Sequence, residues 1–230
     1  MPSRIVPFVN NHLYHIFNRG IAHMPIFCDK WDYKRFTKTF FYYQLQGPKP
    51  KFSLFSPQNN KLDTNQKIIE VIGYCLMPNH FHFLLQQKAD GGITEFVSKI
   101  SNSYTKYFNT KNERVGPILQ GEFKSVLVET DEQLIHLSRY IHLNPLVSYL
   151  TDNLESYPWS SHPEYVGINR TSFCSKDIIL KQFKSSEDYK QFVLDQEDYG
   201  RKLERIKHQT LDLPPKTAGA NVIHPKGGLA

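Results

Sequence analysis

Hydrophobic and polar positions alternate along residues 12–18, HLYHIFN, and the run closes at Arg19-Gly20. Period-two alternation predicts a short strand. From Asp29 the period lengthens. Trp31, Phe36, Phe40 and Tyr43 fall near helical spacing, Asp29 suits an N-cap, and Gly47-Pro48 ends the pattern, so a helix is predicted over 29–46. Residues 48–66, rich in Pro, Asn, Gln and Ser, read as a loop. Ile68 to Leu76 and His80 to Gln87 are two strand-like runs separated by Met77-Pro78-Asn79, the pattern of an antiparallel hairpin. Thr94, with an acidic residue soon after, opens a helix to about Asn112 that puts Phe96, Ile100, Tyr104, Tyr107 and Phe108 on one side. Lys124 to Glu129 predicts a strand. Thr130-Asp131-Glu132 then caps a helix from about Glu132 to Leu143, stopped near Asn144-Pro145.

The order is strand, helix, strand, strand, helix, strand, helix. Such mixing over about 130 residues predicts an α+β layer fold, an antiparallel sheet with helices packed against it. After Tyr149 the character changes. Residues 151–212 read as a mostly helical C-terminal extension, with two polar helices over 176–207, and residues 213–230 as a disordered basic tail. At 230 residues and 40% hydrophobic, the chain holds one domain with a substantial extension, or two small ones.

Composition removes several classes. No stretch approaches the roughly 18 apolar residues of a membrane span, so no membrane partner is expected. The N-terminal run lacks the apolar core of a signal peptide. Cys28, Cys75 and Cys174 are an odd number without CxxC spacing, which fits a reducing cytosol better than a disulfide framework. No nucleophile elbow, Walker A loop or dinucleotide-type glycine loop is present, so no nucleotide cofactor is expected. The net charge of +6 is carried by residues 1–150, where 17 Lys and Arg meet 11 Asp and Glu among many Tyr and Phe. Cations mixed with aromatics suit single-stranded nucleic acid, and equally describe a mildly basic domain with an aromatic core.

Two constellations carry chemistry. His80 and His82 open a strand two residues apart, so both imidazoles face one way and Phe81 the other. They are either a pair of metal ligands or two partly exposed histidines on a hairpin. Tyr140 and Asn144 are four apart on the last helix and share a face, with His142 elsewhere on it. They supply either a nucleophile and an oxygen ligand, or a core aromatic and the end of a helix before Pro145.

Several blocks in register make the chain recognisable: Tyr14-His15-Ile16-Phe17-Asn18-Arg19-Gly20, Met77-Pro78-Asn79-His80-Phe81-His82, Gln120-Gly121-Glu122-Phe123-Lys124, Tyr140-Ile141-His142-Leu143-Asn144-Pro145 and Tyr157-Pro158-Trp159. Over about residues 10–165 the chain resembles the single-tyrosine transposases of the HUH superfamily, most closely the REP-associated tyrosine transposases. The resemblance implies a ferredoxin-like or palm-like antiparallel sheet with helices on one face, and a catalytic domain over residues 1–150. It implies a divalent metal, Mg²⁺ or Mn²⁺, on His80, His82 and Asn144, with Tyr140 as the nucleophile. The implied activity is metal-dependent cutting and rejoining of single-stranded DNA near palindromic hairpins through a 5′-phosphotyrosine, in a cytoplasmic, nucleoid-associated protein. Arg19, Lys124 and Arg139 are candidate phosphate contacts. Two alternatives are a domesticated hairpin-binding protein that does not cut and a replication-initiator-like nickase. Monomer and homodimer are both open. Two features depart from the pattern: the third ligand is a neutral amide, weaker than a carboxylate, and the 48–66 loop is longer than a minimal member needs.

Overall fold

A computed structural model describes residues 7–56, 62–169 and 173–202 of the chain. The tail expected over 213–230 lies outside the described residues. Four strands form one antiparallel sheet: β1 (Leu13–Arg19), β2 (Ile69–Met77), β3 (His80–Gln87) and β4 (Lys124–Val128), in the order β2-β3-β1-β4. The hairpin between β2 and β3 turns at Pro78-Asn79 and pairs Met77 with His80. Register then sorts the side chains. Phe81 and Phe83 lie beside Leu76 and Tyr74 of β2 and Asn18 and Ile16 of β1. His80 and His82 lie beside Met77 and Cys75, and beside Arg19 and Phe17, on the other face.

The first face is covered by α1 (Lys30–Gln44) and α2 (Gly92–Lys111). Asp29 caps α1 in a reciprocal capping box with Asp32. Phe36 and Phe40 pack on Phe81 and Phe83 at ring separations of 4.7–6.3 Å. All four rings are fully buried, and each such ring contributes about 1.5–3 kcal/mol of burial. Trp31, expected on the apolar side of α1, is exposed instead, with the ammonium groups of Lys30 and Lys34 over its ring. The helix begins at Gly92, not at Thr94. A Cβ on Gly92 would lie 2.2 Å from the Ile68 carbonyl oxygen, and Gly91 before it holds φ +69°. Close passage of Ile68, just before β2, therefore sets the start of α2, and glycine permits it.

The second face carries α3 (Asp131–Val147), capped by Thr130. Helices thus occupy both faces, where one was expected. The rings of His82 and Tyr140, on β3 and α3, stand 5.4 Å apart, so α3 belongs to the histidine face. It also runs past its expected stop at Asn144 and continues through Pro145. Pro145 falls in the last turn, where it removes one backbone donor while Ser148 and Leu150 still donate to the carbonyls of Asn144 and Pro145.

The segment after Tyr149 folds back on the β2 edge and on α3. Leu76 N–H donates to the Trp159 carbonyl, and Ser161 Oγ accepts from Tyr74 N–H. Three short helices follow: α4 (His162–Tyr165), α5 (Asp177–Leu180) and α6 (Ser186–Leu194). Tyr165, Ile179, Tyr189 and Val193 join the same hydrophobic core as the sheet. No helix among the described residues is long and apolar enough to cross a membrane.

Candidate active site

The histidine face opens into a cleft of about 700 Å³ lined by His80, His82, Tyr140, Asn144, Arg19 and Lys124, among others. Strand pairing explains four of these. Arg19 is opposite His80, Phe17 is opposite both His82 and Lys124, and paired residues share a face. The helix supplies the other two. Tyr140 and Asn144 sit one turn apart, and Asn144 Nδ2 donates to the Tyr140 carbonyl at 2.7 Å, which turns the amide oxygen of Asn144 away from its own helix.

Each imidazole is oriented from behind. Asn79 Oδ1 lies 2.6 Å from His80 Nδ1, so that nitrogen carries a proton and donates it. His82 Nδ1 shares a hydrogen bond with His15 Nε2 at 2.9 Å. Burial pulls the His15 imidazole down to about 4, so it is neutral near pH 7 and shares one proton with His82 without adding charge. Ligating histidines are ordinarily held this way through the second ring nitrogen. His15 carried no role in the sequence reading. Its signal was the period-two spacing of His15, Phe17 and Arg19, which puts all three on the histidine face.

Exposure separates the parts. Tyr140 is 46% exposed, whereas His82 is 6% and Asn144 7% exposed. Tyr140 is therefore not a core aromatic. Its ring stands edge-on to His82 at 5.4 Å and to His15 at 6.1 Å. Asn144 does not end the helix. No group of three or more His, Cys, Asp or Glu suited to a metal occurs among the described residues. The available donors are two imidazoles, a carboxamide oxygen and a phenol. Two of these four donors are nitrogens, which suit Mg²⁺ less well than an all-oxygen set.

Of the three cations expected to touch phosphate, Arg19 and Lys124 line the cleft. Arg19 Nε donates to Gln120 Oε1 at 2.5 Å, which aims the guanidinium along the cleft wall. Arg139 does not line the cleft. Its guanidinium lies 4.2 Å over the Phe192 ring, Nη1 donates to the Phe192 carbonyl, and Nη2 reaches His136 Nδ1 at 2.5 Å. It clamps α6 to α3.

His142, two residues after Tyr140, points to the opposite side of α3. Its Nδ1 meets the Tyr189 hydroxyl at 2.6 Å and its Nε2 meets Ser161 Oγ at 2.7 Å. Tyr189 in turn donates to Ser138 Oγ at 3.1 Å. Complete burial holds His142 well below the usual imidazole range, so it is neutral. The helix that carries Tyr140 is thus tied to the β2 edge through Ser161 and to α6 through Tyr189.

The family model for IS200-like transposases matches residues 60–144, a span that contains both cleft histidines, Tyr140 and Asn144. No curated protein matches. Among solved structures, a REP-associated tyrosine transposase bound to a REP hairpin aligns at a TM-score of 0.54 and 11% identity, over 75% of this chain and 90% of its own. A solved protein of Deinococcus radiodurans aligns over 61% of this chain and 95% of its own at 13% identity, but its TM-score of 0.36 is too low to bear on the fold. The likeness to tyrosine transposases expected from the sequence is therefore found in the matched segment and in the α+β fold.

Proposed function

We propose that the chain processes DNA as a transposase does, cutting and rejoining single strands with Tyr140 as the nucleophile. The observation that carries this reading is the placement of an exposed tyrosine edge-on to a buried, oriented histidine, one helical turn before a buried asparagine, in a cleft that two cations also line.

The chemistry follows from those parts. Arg19 and Lys124 hold the phosphates flanking the scissile bond and offset their charge. The Tyr140 oxygen attacks phosphorus, a Tyr–O–P bond forms, and the P–O3′ bond breaks. The phenol gives up one proton and the departing 3′ oxygen gains one, so the products are a 5′-phosphotyrosine and a free 3′-OH. One phosphodiester replaces another, so the reverse attack by a 3′-OH rejoins strands without a nucleotide cofactor. His80, His82 and the Asn144 amide oxygen would hold a divalent metal, which supplies Lewis-acid polarisation of the phosphate. His15 and Asn79 keep the imidazoles turned toward it.

The test is incubation of the protein with end-labelled single-stranded hairpin DNA, resolved on a denaturing gel. A labelled band of protein size supports the reading; free DNA at every divalent metal concentration contradicts it. A second reading, hairpin binding without cutting, is favoured by the carboxylate-free donor set and corresponds to that second outcome with binding retained.

A further inference from the structure

A second cavity is remote from the histidines. A groove of about 890 Å³ runs between α1, α2 and the described start of the 48–66 loop. The sheet separates it from Tyr140, because α1 and α2 cover the face opposite α3. Six cations line it, namely Arg35, Lys49, Lys51, Lys99, Lys106 and Lys111, and no acidic side chain does. Lys99, Ser103, Lys106 and Thr110 follow at spacings of four, three and four along α2, so they form one stripe. At 1.5 Å per residue, Lys99 and Lys106 are about 10 Å apart along the helix.

Part of this charge is met within the chain, since Lys99 pairs with Glu95 and Lys111 with Asp29 and Asp32; Arg35, by contrast, forms no ion pair among the described residues. Nη2 donates to Ser103 Oγ at 3.1 Å, while Nη1 is buried and has no hydrogen-bond partner among the described residues. Burial pulls the Lys49 amine down to about 8, with Lys99 adding repulsion and Glu95 opposing it. The nearby rings are already engaged. The Arg35 guanidinium lies 4.2 Å over Phe52, Tyr107 donates to Asp32 at 3.2 Å, and Tyr43 accepts from Phe52 N–H at 3.2 Å. A surface that holds single strands offers open rings on which bases stack. This groove offers cations and hydroxyls instead.

We infer that the groove between α1, α2 and residues 49–53 is a second DNA contact, taking the phosphate backbone of a duplex stem without reading its sequence. The inference rests on the DNA reading above for the polymer, not for the cutting chemistry. The long loop thereby acquires a role, since Lys49, Lys51 and Phe52 make one wall.

The experiment measures anisotropy of a labelled hairpin with a single-stranded flank, and of the flank alone, across a salt series. It compares the full chain with a K51Q/K99Q/K106Q variant. All three lysines are exposed, so the fold is retained. Each lost phosphate contact flattens the slope of log K against log salt by about 0.9, so three flatten it by about 2.7 for the hairpin, with the flank alone unchanged. Adduct formation at Tyr140 on the flank alone also stays unchanged. An unaltered slope for the hairpin overturns the inference, as does equal weakening for the flank. An RNA hairpin bound more tightly than the DNA one overturns it too. Loss of slope without any adduct in either protein leaves the groove standing and removes the cutting reading.

Discussion

At the residue scale, the site depends on a few atoms whose removal has separable effects. Tyr140→Phe deletes one oxygen from a half-exposed ring, so the expected stability change is no more than about 1 kcal/mol. Strand cutting is expected to vanish. Tyr104→Phe is the opposite case. The Tyr104 hydroxyl donates to the Ile26 carbonyl from a fully buried position. That variant is expected to lose about 1 kcal/mol and keep its activity. Chemical denaturation and a cleavage gel, run on both, separate the two roles; activity lost in Tyr104→Phe and kept in Tyr140→Phe reverses the assignment. His82→Ala is expected to abolish cutting at any added metal concentration while hairpin affinity changes less than threefold. The residue pairs themselves were legible in the sequence, because strand period two and helix period 3.6 place His80 with His82 and Tyr140 with Asn144. His15 and Asn79 were not, because they act through contacts that only register and turn geometry create. Arg139 misled for the same reason: its cation–π contact with Phe192 spans 53 positions of sequence.

At the element scale, the placement of Tyr140 is the placement of α3. That helix is tied through His142 to Ser161 and Tyr189, and through Arg139 to the Phe192 carbonyl. Tyr189→Phe removes the hydroxyl shared by His142 and Ser138 and leaves two buried polar groups short of a partner. A loss of about 1–3 kcal/mol is expected. Cutting is expected to slow several-fold at saturating DNA, with affinity unchanged, because the cations of the cleft are untouched. A change in affinity with an unchanged cutting rate would show that α6 does not position the helix. The strands and the cores of all three long helices were visible as periodicity. Their ends were visible only where a local cap sets them, as at Asp29 and Thr130. The start of α2 answers to the passing Ile68 carbonyl and the end of α3 to packing around a buried Pro145, and neither is written in local sequence.

At the scale of the whole molecule, one sheet separates two basic surfaces, a cleft that presents Tyr140 and a groove that does not. The sequence showed the net charge without this division, because assignment of α3 to the histidine face needs tertiary contacts. The same packing leaves His142 and His162 buried and His15 half-buried, all three neutral. His15 and His162 are lowered to about 4, and His142 well below the usual imidazole value. Unfolded imidazoles titrate near 6.5, so between about 6.5 and 4 the unfolded chain binds more protons. Stability is therefore full above about 6.5 and falls as pH drops toward 4. Both ring nitrogens of His162 are buried without partners among the described residues. His162→Phe is thus expected to flatten the fall in urea midpoint between pH 7 and 4.5, and an equally steep fall would show that His162 does not carry it. The most direct test of the central claim is peptide mass spectrometry of the full chain after reaction with a short single-stranded hairpin substrate and Mn²⁺. The expected adduct is the downstream DNA fragment joined through its 5′-phosphate, on the peptide containing Tyr140. The same adduct on another tyrosine, or its persistence in Tyr140→Phe, would contradict that claim.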